Sequence, residues 1–158
     1  MSDKVLEYIV SRLNERTEQV GKTTVQKIMY FLKRLGIVDY EYTMHYYGPY
    51  SSEVENRLRQ LESSNQLRIS WNSDRGYFIR LSEEHSDINV DKEKKQSIDH
   101  IIENFYSKSA KELSLIATVL YFYPKLPEND IIESVRKLKP QFSTDEISDA
   151  LNIVKAVF

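Results

Sequence analysis

The 158-residue chain contains no cysteine, and this absence removes several kinds of chemistry at once. A chain without thiols has no cysteine nucleophile, no disulfide and no zinc site built from cysteine ligands, and it fits a reducing compartment. It also lacks an apolar run of about 20 residues, the length that a helix needs to cross a bilayer. The N-terminal residues mix charged with apolar side chains, unlike a signal peptide. We therefore expect a cytoplasmic protein that makes no membrane contact.

An excess of charge of either sign is also missing. The chain has 22 basic and 24 acidic residues, which gives a formal net charge of −2. Proteins that bind nucleic acid strongly and without sequence preference usually carry a large basic excess. The charge balance therefore argues against a general nucleic-acid binder and leaves room only for a local basic patch.

The motifs on which most enzymes depend are absent as well. His45, His85 and His100 lie in three separate segments, and none has a second histidine at a metal-binding spacing. There is no glycine-rich phosphate loop and no G-x-S-x-G nucleophile motif. These absences predict a noncatalytic protein with no catalytic residues, no metal site and no cofactor.

Most of the chain has the periodicity of amphipathic helices. Apolar residues recur at helical spacing in residues 3–16, 23–35 and 52–64, and four further stripes follow between residue 98 and the C-terminus. The sequence STDE at 143–146 is typical of a capping box and predicts the start of the last helix.

Two segments have the character of β-structure instead. An aromatic-rich stretch at about 39–47 predicts a short extended segment, which Gly48-Pro49 is expected to end. Alternating residues before the sequence NSDRG (72–76) and an extended run after it predict a β-hairpin. The sequence therefore predicts a mainly α fold with a small β-hairpin.

The order helix, helix, short strand, helix, hairpin is typical of a winged helix. Residues 52–64 would be the recognition helix and NSDRG the tip of the wing. The polar stretch at about 83–92 predicts a linker. We therefore expect a winged-helix-like N-terminal domain at 1–85 and a C-terminal helical bundle at 86–158.

Three blocks of sequence carry a family resemblance. They are VQKIMYFLKRLG from residue 25, HYYGPYSSEV from residue 45, and ATVLYF from residue 117 with LPENDIIESVRKLKPQFSTDEI after it. In this order, from about residue 22 to the C-terminus, they resemble the YwgA family of bacterial and archaeal proteins. More distantly they resemble the Panacea, or SocA-like, antitoxin domain. The first resemblance implies a fold without assigned catalytic residues, and the second implies binding to a toxin partner, sometimes as an adaptor for a protease.

A polar face on the predicted recognition helix suggests one candidate interface. Asparagine and arginine are the residue types that read adenine and guanine edges, and arginines on the wing could contact phosphates. Glu53 and Glu55 would repel DNA at the end of the helix that points toward the bases, and a solvated polar surface is the alternative interpretation. The candidate DNA-contacting residues are Ser52, Asn56, Arg59, Gln60, Arg68, Arg75 and Arg80.

Five of the eleven tyrosines fall between residues 40 and 50. No lysine or arginine lies between residues 38 and 52, so stacking on nucleic-acid bases is disfavoured. A ligand pocket is one interpretation. The favoured one is a structural corner, in which Pro49 fixes its own φ and restricts Gly48 to extended backbone. The candidate partner surface comprises Tyr46, Tyr47, Gly48, Pro49 and Tyr50, with Lys27, Tyr30 and Arg34 on the expected outer face of the second helix.

We therefore expect a noncatalytic cytoplasmic regulatory or adaptor protein that acts through protein–protein contacts. The alternative is a winged-helix DNA-binding transcriptional regulator. Such a regulator would be expected to form a homodimer through its C-terminal helices, because winged-helix proteins usually read paired half-sites.

Overall fold

Helices and two small hairpins make up the computed structural model, which describes residues 2–158, with side chains from residue 4 onward. The helices in this range are α1 (Ser2–Arg16), α2 (Lys22–Arg34), α3 (Ser52–Ser63), α4 (Lys92–Phe105), α5 (Ala110–Phe122), α6 (Glu128–Leu138) and α7 (Thr144–Val157). The strands are β1 (Thr43–His45), β2 (Gly48–Tyr50), β3 (Leu67–Asn72) and β4 (Gly76–Leu81). The predicted mainly helical fold is confirmed. No helix in the described range is both long enough and apolar enough to span a bilayer.

Serine caps explain where three of these helices begin. The Ser51 hydroxyl accepts a 3.3 Å hydrogen bond from the backbone of the first turn of α3. Ser109 and Glu112 form a capping box at α5, and Ser143 and Glu146 form another at α7. In both boxes the serine hydroxyl and the glutamate carboxylate satisfy backbone N–H groups that the helix leaves unpaired. The helix start predicted from STDE is therefore confirmed.

The predicted hairpin is present as β3 and β4, which pair antiparallel over residues 67–81. At its turn the Asn72 side chain accepts hydrogen bonds from the two backbone N–H groups of Asp74 and Arg75, at 2.9 and 3.0 Å. β4 also bonds to a residue outside the hairpin, because the backbone N–H of Ile79 donates to the carbonyl of Val20 at 2.8 Å. The connection between α1 and α2 is thereby tied to β4.

A second hairpin replaces the expected single extended segment. Gly48-Pro49 does not end the β-structure, because Gly48–Tyr50 is itself strand β2 and pairs antiparallel with β1. The register aligns His45 with Gly48, so Tyr46 and Tyr47 form a two-residue loop between the strands. A proline is tolerated in β2 because the strand pairs on one side only.

Helix α2 is the centre of the fold and is buried on nearly all sides. Eight consecutive residues, Val25 to Leu32, are buried, and the helix contacts α1, α3, α4, α5, β2 and β4. The expectation that Lys27 and Tyr30 lie on an outer face is therefore wrong, since they are only 2% and 4% exposed. The apolar stripe identified one buried face, but the C-terminal helix α5 covers the opposite face as well.

Arg34, the third residue expected on that face, connects the two halves of the chain. Its guanidinium donates to the backbone carbonyl of Leu120 and, at 2.7 Å, to that of Tyr123. These carbonyls lie at the C-terminal end of α5, where the helix leaves acceptors without intrahelical partners. Arg34 therefore fixes α5 against the end of α2.

One hydrophobic core runs through both halves. It includes Leu6 and Ile28 from the first two helices and Phe105, Leu120 and Val154 from the C-terminal helices. The division into units at 1–85 and 86–158 stays a prediction.

Gly48 is the point of closest approach between the second hairpin and α5. Its φ is +99°, so the expected extended conformation is wrong. A Cβ atom at this position would lie 2.8 Å from Thr118 Oγ1 and 3.2 Å from the backbone oxygen of Ser114. Thr118 has little freedom to move away, because its hydroxyl donates to the Ser114 carbonyl at 2.7 Å. Glycine is therefore required here both by the backbone conformation and by the space available.

Gly48→Ala is expected to lower the free energy of unfolding by about 3 kcal/mol, because it combines left-handed strain with overpacking against α5. Gly36→Ala is the matched control, since Gly36 has a φ of +77° but no atom within 4 Å of an added Cβ. The control should lose only about 1 kcal/mol. Urea denaturation of the two variants measures the difference, and equal losses would contradict the close approach to α5.

Candidate functional site

The most exposed aromatic pair of the molecule lies at the tip of the second hairpin. Tyr46 and Tyr47, here called the tyrosine turn, are 77% and 65% exposed. Their rings meet edge to face, with centroids 5.0 Å apart. Neighbouring residues of the same hairpin lie inward, with Gly48 and Pro49 buried and Tyr50 half-buried against His45. The hairpin therefore has a buried base and an exposed aromatic tip.

Helix α2 holds the base of this hairpin through polar side chains. Lys27 Nζ donates to the backbone oxygen of Pro49 at 2.9 Å. Gln26 forms two hydrogen bonds with the backbone of Ser51, donating to its oxygen at 2.8 Å and accepting from its nitrogen at 3.0 Å. All of these groups are buried. The strand that follows the tyrosine turn is thus bonded directly to the central helix.

A lysine from the C-terminal half holds the tip itself. Lys139, the C-cap residue that follows α6, donates from Nζ to the backbone oxygen of Tyr46 at 3.1 Å. Lys139 is only 4% exposed, and 93 positions separate it from its partner. The tyrosine turn is therefore held at its base by α2 and at its tip by α6.

The two lysines are buried cations without a buried counterion. Among the described residues, neither Lys27 nor Lys139 forms an ion pair; each donates to a carbonyl oxygen. Burial, and then the charge of Lys139, lowers the pKa of Lys27 to about 8. Burial also lowers the pKa of Lys139. Carbonyl oxygens satisfy hydrogen-bond donors but do not neutralise charge, so this region has an excess of positive charge.

A groove of about 410 Å³ lies beside the tyrosine turn. We call it the tyrosine groove, and it is lined by Thr23, Tyr46, Tyr47, Ala110, Lys111, Ser114, Lys139, Gln141 and Phe142. Its walls are aromatic on two sides, and the Lys111 ammonium lies 5.5 Å from the centroid of the Phe142 ring. Two of its lining residues are lysines, and none is acidic. The groove therefore combines apolar walls with positive charge.

Two smaller cavities adjoin the same hairpin. One cavity, of about 360 Å³, is lined by Tyr47 and Lys27 and also by Tyr50 and Glu55. The other, of about 270 Å³, lies between His45 and Lys139. The tyrosine turn thus projects between concave surfaces.

A larger cavity, of about 890 Å³, lies elsewhere, where α1, α2 and the start of α5 meet. Of the four basic side chains that line it, Arg16, Lys22 and Arg75 each form an ion pair. Arg75 forms an ion pair with Glu18 at 3.3 Å, and Arg16 forms one with Glu103. We take the tyrosine groove as the better candidate because, among the described residues, neither of its two lysines forms an ion pair.

The predicted DNA-contacting residues lie on the surface but do not form an unbroken basic strip. Ser52, Asn56, Arg59 and Gln60 are exposed on α3, and Arg68, Arg75 and Arg80 are exposed on the hairpin of β3 and β4.

Ion pairs interrupt the basic character of this face. Glu55 lies between Lys22 and Arg59, with N–O distances of 2.8 and 3.5 Å, and Arg75 is paired with Glu18. Lys22 begins α2 and Glu18 lies in the connection between α1 and α2, so the sequence of α3 and the hairpin did not reveal these two partners, whereas Glu55 and Arg59 pair within α3.

Among the described residues, no three histidine or carboxylate side chains lie close enough to hold a metal ion. The residues that sequence reasoning missed are Lys139, Lys111 and Phe142. They come from helices and a loop of the C-terminal half, and no motif joins them to the HYYGPYS block. Only their burial or their position along the groove identifies them.

No family model matches the chain. The chain is similar to the Uncharacterized protein YwgA of Bacillus subtilis (strain 168), with 29% identity over 150 residues that cover 87% of each chain. The resemblance to the YwgA family is therefore confirmed over most of the sequence. The more distant resemblance to the Panacea domain stays a prediction.

The charge of Lys27 gives the site a testable dependence on pH. Burial lowers the pKa of this lysine to about 8 in the folded protein, from the ordinary lysine value of 10.5, so the folded state binds fewer protons between these two pH values. Stability from this group therefore rises with pH across that interval. Relative to Lys27→Met, the wild-type protein is expected to gain about 2 kcal/mol in free energy of unfolding between pH 7 and pH 10.

Urea denaturation of both proteins at the two pH values measures this change. Lys92→Met, which removes an exposed lysine at the start of α4, is the control and should keep the same difference from wild type at both pH values. A Lys27→Met difference that is independent of pH would mean that Lys27 titrates as an exposed lysine does.

Proposed function

We propose that this chain, which is similar to YwgA over 87% of its length, is a noncatalytic regulatory or adaptor protein of the cytoplasm. It acts by binding another protein through the tyrosine turn and the tyrosine groove. In keeping with the Panacea resemblance, we extend the proposal to an antitoxin-like role, in which the chain restrains its partner or delivers it to other machinery.

The observation that carries this proposal is that Tyr46 and Tyr47 are exposed to solvent on a hairpin whose backbone is held by hydrogen bonds. Tyrosine is enriched at the centres of protein interfaces, where its ring buries a large area and its hydroxyl still finds a polar partner. Here two rings project into solvent from a loop of only two residues. Lys27 and Lys139 hold the backbone of that hairpin from below and from the side.

Rigidity matters because association costs conformational entropy. A loop that is already fixed in the free protein loses less freedom on binding than a mobile one, so more of the contact energy appears as affinity. An exposed aromatic pair on a mobile loop would be a weaker argument for binding. The backbone hydrogen bonds to the two buried lysines therefore support a binding role for the turn.

The double variant Tyr46→Ala/Tyr47→Ala is expected to abolish capture of the partner, because it removes the aromatic anchors without touching the lysine-to-carbonyl hydrogen bonds. The measurement is affinity capture from native lysate, identification of a stoichiometric partner by mass spectrometry, and calorimetry with that partner purified. Loss of at least about 100-fold in affinity is expected for two central aromatic residues.

Trp71→Ala is the matched control, since Trp71 is 64% exposed on β3 and lies outside the groove. This variant should bind the purified partner as the wild-type protein does. Equal losses in the control and the double variant, or binding that survives the double variant, would contradict the proposal.

A second candidate function is DNA binding by a winged helix. The bond between Ile79 and Val20 favours it, because it adds the segment between α1 and α2 to the edge of the hairpin, where a winged helix has its first strand. Asn56 and Arg59 are also exposed on α3. A homodimer formed through the C-terminal helices belongs to this proposal. The pairing of Glu55 with Arg59 makes it the weaker of the two.

If the second candidate is correct, Arg59→Ala and Arg75→Ala should each weaken binding to a selected duplex. Each should also reduce the slope of log affinity against log salt by about 1, because each loses one phosphate contact. Selection from a random duplex pool, followed by salt titration, makes the measurement. Arg136→Ala on α6 is the control, and unchanged slopes in both wing and helix variants would reject DNA binding through this face.

A further inference from the structure

The tyrosine groove has a chemical character that narrows the kind of protein segment it can hold. Its lining contains two lysines, three aromatic residues and no carboxylate. Lys27 adds a third positive charge, which is buried beneath the same hairpin and close enough to Lys139 for that lysine to lower its pKa. A ligand with carboxylates on one side and apolar side chains on the other would complement both features.

Two carboxylates, Glu112 and Glu146, lie near Lys111 in sequence or in space, but neither lines the groove. The charge of Lys111 contributes to lowering the pKa of Glu146, but Glu146 is held in the capping box of α7, where it accepts from the backbone of Ser143 at 2.9 Å. Glu112, next to Lys111 in sequence, is held in the same way by Ser109 at 3.0 Å. Both carboxylates are fixed at helix ends and keep their negative charge, but among the described residues neither forms an ion pair with Lys111 or Lys139, so both lysines can still pair with a carboxylate of a ligand.

The lysines also retain donors for a ligand. An ammonium group has three N–H donors, and Lys139 uses one of them on the Tyr46 carbonyl. Lys111 is exposed and contacts the Phe142 ring through its charge rather than through a hydrogen bond. A carboxylate entering the groove could therefore accept from Lys111 and lie close to Lys139 without displacing any bond that holds the turn.

We infer that the tyrosine groove binds a short acidic segment of the partner protein, with its carboxylates at Lys111 and Lys139 and its apolar side chains against Tyr46, Tyr47 and Phe142. This inference rests on the proposed function and names the chemistry of the partner. A protein segment fits better than nucleic acid, because the groove lacks arginine, the residue that binds phosphate in a bidentate manner. The groove volume of about 410 Å³ is within the usual range for a ligand site.

The test uses the full chain and a library of fluorescein-labelled heptapeptides that alternate glutamate with leucine or phenylalanine. Fluorescence anisotropy measures binding at low and moderate salt. Matched peptides with glutamine in place of glutamate, and others with glycine in place of the apolar residues, separate the two halves of the recognition. Binding should require both the acidic and the apolar residues and should weaken as salt rises.

Variants locate the site. Lys111→Gln should weaken the best acidic peptide about fivefold, the loss expected for one partly exposed charge pair. Tyr46→Ala/Tyr47→Ala should abolish binding of that peptide. Lys92→Gln, which removes the same charge from an exposed position at the start of α4, should leave binding unchanged. Circular dichroism is used to check that each variant is folded. Lys111 is exposed, so its substitution should leave the core intact.

Three outcomes would overturn the inference. They are equal binding of the glutamine peptides, binding that survives both groove variants, and displacement of the peptide by a short single-stranded oligonucleotide at comparable concentration. If no library peptide binds while capture of the whole partner still depends on the tyrosine turn, the inference fails and the proposed function stands. If peptide binding is confirmed but capture of the partner does not depend on the turn, the proposed function fails.

Discussion

The burial of α2 on nearly all sides is the constraint on which the rest of the structure depends. A helix enclosed in this way must find partners for every polar side chain that it carries, because an unpaired buried donor is costly. Gln26 and Lys27 find theirs on the backbone of the HYYGPYS block. The requirement of the central helix thereby fixes the second hairpin, and the fixed hairpin in turn presents two tyrosines to solvent.

The same constraint leaves an electrostatic imbalance. Lys27 and Lys139 are satisfied by carbonyl oxygens, which carry partial rather than full negative charge. Two buried cations close to one another raise the potential of the groove beside them. The chain as a whole is slightly acidic, so this positive region is a local property of the fold and cannot be inferred from composition. Binding by this surface would depend on a small, well-defined site and not on a general basic face.

The similarity to YwgA covers 87% of the chain, yet it assigns a role to no residue. The contacts around the tyrosine turn show which residues hold it in place and which face solvent. One of the motifs that carry the resemblance, HYYGPYS, contains residues with separate roles. Gly48 and Pro49 pack inside, where Gly48 lets the hairpin approach Thr118, whereas Tyr46 and Tyr47 face outward.

The sequence by itself determined the helices, the hairpin of residues 67–81 and the capping box at 143–146, because helical periodicity, strand alternation and cap chemistry act between residues close in the chain. Only the tertiary structure decided that α2 is covered on both faces, that Gly48 has a positive φ and that Lys139 holds Tyr46 across 93 positions. These features depend on which elements pack together, and local patterns contain no information about a partner that arrives from the other end of the chain. The sequence alone identified the tyrosines of the site. Its positive charge comes from Lys111 and Lys139, which only the fold places beside those tyrosines.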